Sequence, residues 1–383
     1  MGQARRKMYN AGLGWAKALD SISPSSLLTA LSRFGLPTKM LDMIRAIYTN
    51  RSFSVRDAGS TSLPRQQLFG ISQGCPLSPF LFVMVMSVLT HDAKTNLLLN
   101  FPSAGAGRLH VQELLYADDT LVVDADEAVV QEYMARINEA GKEYGLSFNW
   151  SKLEVLPVRC VANFPRPDGG TITQKTNMKY LGSVLSSDGR VGAELGKRIG
   201  AAQADFLKLV KVWSHAAITR RRKLRIFEAC VVSKLLYCLH VCWLNAAETR
   251  KLDAFYVRCV RKIAGIRPSY YSRVSNQTVY EYMGCKPLSV SLKRYQLLYI
   301  ANLARRPDGN VLRDIIFKPS SIELSRFQGP RKRGRPRVVW GEAVFGMALS
   351  IAGSHNCLKQ HWANTPDAKR SWQAVVDNYC SSC

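Results

Sequence analysis

Two adjacent carboxylates, Asp118 and Asp119, stand in the run Tyr116-Ala117-Asp118-Asp119. The alternating segment Leu109-His110-Val111-Gln112-Glu113-Leu114-Leu115 precedes them and Leu121-Val122-Val123 follows. Apolar strand, tight acidic turn and apolar strand together describe a β-hairpin with two anionic groups at its tip. Neighbouring carboxylates repel, which raises one pKa, and a divalent cation neutralises the pair. The hairpin therefore reads as a Mg²⁺ platform. Asp-Asp is also ordinary turn chemistry, and only its context separates the two readings.

That context lies upstream, in Gly70-Ile71-Ser72-Gln73-Gly74-Cys75-Pro76-Leu77-Ser78-Pro79, which runs straight into the apolar segment Phe80 to Leu89. The two glycines admit close backbone approach, Gln73 offers a donor and an acceptor, and Ser78-Pro79 is a helix start. Such a loop can present backbone to a nucleotide. Here the chain resembles the reverse transcriptases of non-LTR (LINE-type) retrotransposons, in which a Gln-Gly-Cys-Pro-Leu-Ser-Pro block precedes a Tyr/Phe-Ala-Asp-Asp hairpin in this order. The resemblance implies that Asp118 and Asp119 are catalytic and hold Mg²⁺. It also implies that Gln73, Gly74 and Tyr116 lie against nucleotide and template.

Three more blocks extend the resemblance. Gly145-Leu146-Ser147-Phe148-Asn149-Trp150-Ser151-Lys152-Leu153-Glu154 is similar to the family's Gly-Leu-x-x-Asn-x-x-Lys-Thr-Glu, with Leu153 where Thr is usual. By resemblance Lys152 is the proton donor to departing pyrophosphate; taken alone it is a surface lysine. Met178-Lys179-Tyr180-Leu181-Gly182 resembles the hairpin that grips the primer end, with Tyr180, Leu181 and Gly182 at its tip; taken alone it is an ordinary exposed hairpin. Leu13 to Ile22 resembles the first catalytic strand, Leu-Asp-x-x-Lys-Ala-Phe-Asp-x-Ile. The essential Asp of that strand falls on Gly14, and the Phe that checks the sugar falls on Leu19. Asp20 matches the second, non-catalytic Asp, six residues farther along what is expected to be a strand.

Two-metal phosphoryl transfer sets two ions about 3.5–4 Å apart so that attacking and leaving oxygens are both stabilised. In the family the first-strand Asp and the first hairpin Asp bridge both ions. Gly14 offers no side-chain ligand, so severely impaired or absent polymerase activity is expected. Only thirteen residues precede Gly14, too few for the fingers region that holds the incoming triphosphate, and no endonuclease domain is recognisable. The chain is expected to be the carboxy-terminal part of a longer element-encoded protein or a decayed copy, with missing domains supplied by another such protein. The partners implied are an RNA template, a DNA primer or target and dNTPs. Two readings stay open: an impaired reverse transcriptase, and a catalytically inactive nucleic-acid-binding remnant of one.

Composition fits this class. The chain has 383 residues, 47% of them hydrophobic, enough for a sizeable core, and a formal net charge of +25. Such a surface attracts polyanions, nucleic acid before membrane. No apolar run is long enough to span a bilayer. The charge concentrates in Arg220-Arg221-Arg222-Lys223, in Arg258, Arg261, Lys262 and Arg267, and in Arg331 to Arg337. Of ten cysteines, Cys230, Cys238, Cys242 and Cys259 sit singly in apolar helical stretches and are expected as buried free thiols. His355, Cys357, His361, Cys380 and Cys383 lack the spacing of a zinc site, so no metal is expected there.

Positioning the hairpin requires an α+β arrangement, an antiparallel sheet backed by helices, which is the polymerase palm architecture. Helices are expected from Ser23-Pro24 to Phe34 and from Pro37 to about Tyr48, a hairpin around Gly59, a helix after Pro79, another over Glu127 to Tyr144, and a short strand near Val155. The palm is assigned to residues 1–160. The primer-grip hairpin and a helical thumb occupy 161–270, with helices over Val191 to Trp213, Arg221 to Leu244 and Ala247 to Ala264. A helical extension fills 271–318, a basic linker 319–338 and a small helical tail 339–383. Within the linker, Arg333-Gly334-Arg335-Pro336 resembles the core of an AT-hook, which lies in a narrow A·T minor groove. A nuclear-localisation patch or a nonspecific basic linker fits it equally. An intracellular, nuclear location is expected.

Overall fold

The computed structural model describes residues 7–104, 113–325 and 338–382. Two units emerge, Met1–Gly189 and Arg190–Cys383. The primer-grip hairpin, expected beside the helical region, belongs to the first unit.

The first unit is built on β1 (Met8–Leu13), a strand buried on both faces. After it come α1 (Ala18–Ser21), α2 (Pro24–Phe34) and α3 (Thr38–Tyr48). Two short ladders follow, β2 (Ser52–Phe53) with β5 (Arg65–Gln66) and β3 (Arg56–Asp57) with β4 (Ser60–Thr61), forming the hairpin expected around Gly59. Next are α4 (Ser78–Asn100), β6 (Glu113–Tyr116), β7 (Asp119–Asp124), α5 (Glu127–Glu143), β8 (Glu154–Val158) and β9 (Thr173–Gln174). The sheet order is β6-β7-β1-β8-β9, antiparallel except for β8–β9, and β10 (Asn177–Tyr180) pairs with β11 (Ser183–Ser186) as a separate hairpin. Helices back the sheet, so the expected α+β class is observed.

Local chemistry explains these boundaries. Ser23 caps α2 by accepting from the Ser26 amide at 3.0 Å, and Gly35 ends that helix at φ 100°, where a side chain would be strained. Asp126 caps α5 through the Ala128 amide at 2.9 Å. Strand alternation then sorts the apolar residues between two faces. Tyr9, Ala11, Leu13, Val122 and Val155 join the helices in one core. Leu121 and Leu156 face the other way and pack with Met178 of β10. Gly12 leaves room for that hairpin, since a Cβ there would lie 3.1 Å from the Met178 sulfur.

The first catalytic strand differs from expectation. Extension ends at Leu13, Trp15 makes a single bridge to Phe148, and Lys17 turns left-handed at φ 49° to start α1. The bend buries Ala18 and Ile22 in the core. Asp20 therefore lies on a helical turn, not farther along a strand, and strand rise does not set its distance from Gly14.

The second unit is helical: α6 (Gly192–Lys208), α7 (Val210–Ser214), α8 (Arg220–Phe227), α9 (Ser233–Leu236), α10 (Ala246–Ala264), α11 (Ser269–Ser272), α12 (Asn276–Met283), α13 (Leu288–Ala304), α14 (Val311–Asp314), α15 (Trp340–Ala352), α16 (His355–His361) and α17 (Pro366–Ser382). The helix expected over Val191 to Trp213 breaks at Leu209, where Trp213 folds back to donate to the Phe206 carbonyl at 2.9 Å and stacks on its ring. That expected over Arg221 to Leu244 passes through a π turn, Glu228–Val232, and stops at Cys238, which is left-handed at φ 60°. The wider turn rephases the apolar side chains so that Val231, Leu235 and Leu239 all reach the core.

Three further expectations change. Of Cys230, Cys238, Cys242 and Cys259 only Cys259 is fully buried, and Cys230 is exposed. Lys223 and Arg261, counted with the surface charge, are internal. The first part of the expected linker is folded: Arg313 donates to the carbonyls of Lys318 and Ser321, and Phe317 bridges to Leu324. The tail helices share a core with α13, into which Trp372 inserts and donates to the Leu297 carbonyl at 3.1 Å. Among the described residues no helix is long and apolar enough to cross a membrane.

Candidate active site

β6 and β7 pair through Tyr116 and Asp119, leaving Ala117-Asp118 as a two-residue turn. Ala117 has φ 53°, the positive value that tight hairpin turns need at their first position. Tyr116, Asp118 and Asp119 are solvent-exposed at this tip, while residues 109–112 of the expected strand lie outside the described residues. Partial burial, and then the charge of Asp118, push the Asp119 carboxyl above its usual range. Among the described residues no cluster of three or more His, Cys, Asp or Glu side chains is placed to hold a metal ion. The donor set, two carboxylates, fits one hard cation such as Mg²⁺, which ordinarily takes one or two carboxylates plus water and phosphate. It does not supply a third carboxylate to bridge a second ion.

Gly14 is one residue beyond the last β1–β7 pair, Leu13 with Thr120, so continuing that register sets it opposite Asp119. Its carbonyl accepts from the Asn149 amide at 2.9 Å. A Cβ built on Gly14 meets a single atom within 4 Å, the Lys152 Cβ at 3.6 Å, an ordinary contact. The expected catalytic position, just past the end of the strand that pairs with β7, and the proton-donor candidate Lys152 are thus in contact range. Lys152 is exposed.

The Gly70 to Pro79 loop is fastened to the segment after β1. The Gly70 amide donates to the Ile22 carbonyl at 2.8 Å and the Ile71 amide to the Leu19 carbonyl at 2.7 Å. Gly70 has φ 93°, and a Cβ there would come within 3.1 Å of the Asp20 Cα, so glycine is required twice over. The Gln73 amide nitrogen donates to Asp20 Oδ1 at 3.0 Å. Gly74, with φ 85° and open space around it, leaves backbone accessible. Leu19 is half-buried against the helical core. Arg51, lying 4.1 Å over the Tyr48 ring, donates to Ser72 Oγ at 2.7 Å and to the Gly70 carbonyl at 2.6 Å. Backbone amides, that of Leu77 first, lower the Cys75 thiol pKa. Neither Arg51 nor the Asp20–Gln73 pair carried any sequence signal, because each works through residues distant in the chain.

The primer-grip candidates come to the same hairpin. Tyr180 donates to the Leu114 carbonyl of β6 at 2.9 Å, and burial, followed by the charge of Asp119, raises its hydroxyl pKa. Leu181 and Gly182 form the β10–β11 turn, both at positive φ, 45° and 80°. The remaining candidates, Arg333, Gly334, Arg335 and Pro336, lie outside the described residues.

A sheet backed by helices, with paired carboxylates on a hairpin beside its central strand, has the form of a polymerase palm. Residues 6–185 match the family described as reverse transcriptase (RNA-dependent DNA polymerase). Over 391 aligned residues the chain is 27% identical to a Pol polyprotein from the type-1 retrotransposable element R2 of Popillia japonica, covering 96% of this chain and 51% of that protein. It is 32% identical over 280 residues to the R2 counterpart of Nasonia vitripennis, covering 68% of this chain and 26% of that one. The matched residues and these relatives support placing residues 6–185 with the reverse transcriptases of non-LTR retrotransposons. It spans about half, or less, of the length of these curated relatives. Among solved structures, apo telomerase from Candida tropicalis superposes with a TM-score of 0.37 at 14% identity, over 48% of this chain and 34% of that one.

Proposed function

We infer that this chain holds Mg²⁺ between Asp118 and Asp119 and extends a DNA primer on an RNA template, at a rate cut severely by Gly14. Once bound, the ion would supply Lewis-acid stabilisation to the phosphoryl oxygens. The protein's own groups do the rest. Gln73, oriented by Asp20, and the open backbone at Gly74 sit against the nascent base pair, with Tyr116 beside the nucleotide. Lys152 delivers a proton to the departing pyrophosphate, and Tyr180, Leu181 and Gly182 hold the primer end. Leu19 replaces the aromatic ring that would test the sugar, and its half-buried position leaves that test weak. The minor-groove segment Arg333 to Pro336 would add DNA contacts, consistent with a nuclear location.

The open space at residue 14 supports this most directly. It adjoins Lys152, continues the register toward Asp119, and admits a Cβ without clash. Loss of a partner that merely supports a ligand costs about 10–100-fold, so loss of a bridging carboxylate costs more. The absence of a third ligand among the described residues also favours a second reading, a silent remnant that only binds nucleic acid.

Primer extension on an RNA template with Mg²⁺ separates them, comparing the chain with Gly14→Asp. Gain of at least about 100-fold in the variant is expected. Equal extension by both would show that residue 14 is not the missing ligand. If neither extends while both bind, the remnant reading stands.

A further inference from the structure

Between α10 and α12 the chain makes a loop, containing the single turn α11, that presents two adjacent tyrosines. Tyr270 and Tyr271 are 75% and 71% exposed, among the most exposed large side chains in the protein. Their rings meet edge to face, with centroids 5.3 Å apart and planes at 84°. The Arg273 guanidinium lies 5.7 Å from the Tyr270 ring, and Arg267 is exposed on the incoming side. From residue 265 to residue 280 the sequence contains no Asp or Glu. The first acidic group beyond, Glu281, accepts from Gln277 at 2.9 Å. On α12 a further pair recurs, with Arg220 of α8 4.2 Å over the Tyr282 ring.

This loop is held from inside. Arg261 of α10 is buried, and its guanidinium donates to the Arg267 carbonyl at 3.2 Å, to the Val274 carbonyl at 2.7 Å and to Asn276 Oδ1 at 2.8 and 3.2 Å. Those partners are neutral oxygens spread across both ends of the loop. A buried charge thus fixes a loop whose own aromatic side chains bury little. Core packing explains neither tyrosine.

We propose that the Tyr270–Tyr271 loop is a stacking site for bases of single-stranded RNA or DNA, separate from the acidic hairpin. Exposed rings within a basic stretch of chain that contains no acidic residue suit a ligand that is polyanionic and carries aromatic faces. Single strands offer such faces, whereas in a duplex each base is already stacked on its neighbours. The loop's other exposed residues are Arg, Pro, Ser, Asn, Gln and Thr, without the aliphatic groups of a protein-docking patch.

The test uses the full chain in EDTA, so that Mg²⁺ and catalysis play no part. Binding is measured to an unstructured oligonucleotide of about 12 nucleotides carrying 2-aminopurine, and to a duplex of the same sequence. Tyr270→Ala/Tyr271→Ala is expected to weaken single-strand binding roughly 5- to 150-fold for each stacked base lost, and to abolish 2-aminopurine quenching. Duplex binding should stay within about two-fold, and Tyr270→Phe/Tyr271→Phe should match the parent, because phenylalanine keeps the stacking face. The proposal is overturned if the alanine variant binds single strands like the parent. It also fails if single-strand and duplex binding fall together, or if the phenylalanine variant falls with the alanine one. Primer extension reads the palm separately, so failure there leaves this result standing.

Discussion

Asp119, although largely exposed, is disfavoured as a free anion by partial desolvation and by its neighbour Asp118, and the sign of that effect is testable. A carboxyl whose pKa is raised on folding contributes its full stability while protonated in both states, and loses some of it as pH rises through the folded value. Asp119→Asn should therefore raise the melting temperature near pH 7 and have no effect at pH values below the carboxylate range. Mg²⁺ should raise the melting temperature of the parent at pH 7 and not that of the variant, because the cation relieves the same repulsion. Thermal melts across pH, with and without Mg²⁺, check both; a fall in melting temperature for Asp119→Asn at pH 7 would contradict the burial argument. At this scale the sequence was most readable. Asp118, Asp119, Lys152 and Gly14 stand out by type and spacing alone; the structure sets Asp118 and Asp119 at the hairpin tip and Gly14 in contact range of Lys152. Asp20 was misplaced because nothing in residues 13–22 announces the left-handed turn at Lys17.

Elements are set by what they pack against, which spacing shows only in outline. Glycine in a helix interior normally costs about 1 kcal/mol relative to alanine. Gly141 of α5 should behave oppositely: a Cβ there would stand 2.7 Å from the Trp15 ring and 3.2 Å from the Leu146 carbonyl. Gly141→Ala is expected to destabilise by about 1–3 kcal/mol, as overpacking does. Gly14→Ala, with one ordinary contact at 3.6 Å, should change stability by less than about 0.5 kcal/mol. Chemical denaturation of the two variants checks this, and equal effects would show that the Trp15 contact yields freely. The same logic explains which elements were legible. The capped helices α2 and α5 and the hairpins were, because their signals are local. The π turn after α8 and the break at Leu209 were not, because they answer to the packing of Trp213 and Leu239.

For the whole molecule, the net charge of +25 predicts a strongly salt-dependent attraction to polyanions. Affinity for duplex should fall steeply with salt, by about 10³-fold between 50 and 200 mM if six phosphates are neutralised. Filter binding over that range checks it, and a flat response would leave the charge without a binding role. Two units with separate hydrophobic cores carry this charge. Unit boundaries were poorly legible, because the β10–β11 hairpin joins the sheet unit through Met178 and Tyr180, contacts between residues far apart in the chain. The open space at residue 14 has a genetic side as well. Where the glycine codon is GGT or GGC, one base change yields an aspartate codon, and a Cβ at residue 14 meets only an ordinary contact. Position 141, wedged against Trp15, offers no such route. On the reading proposed above, a copy silenced at residue 14 is dormant rather than dismantled, a single mutational step from the aspartate.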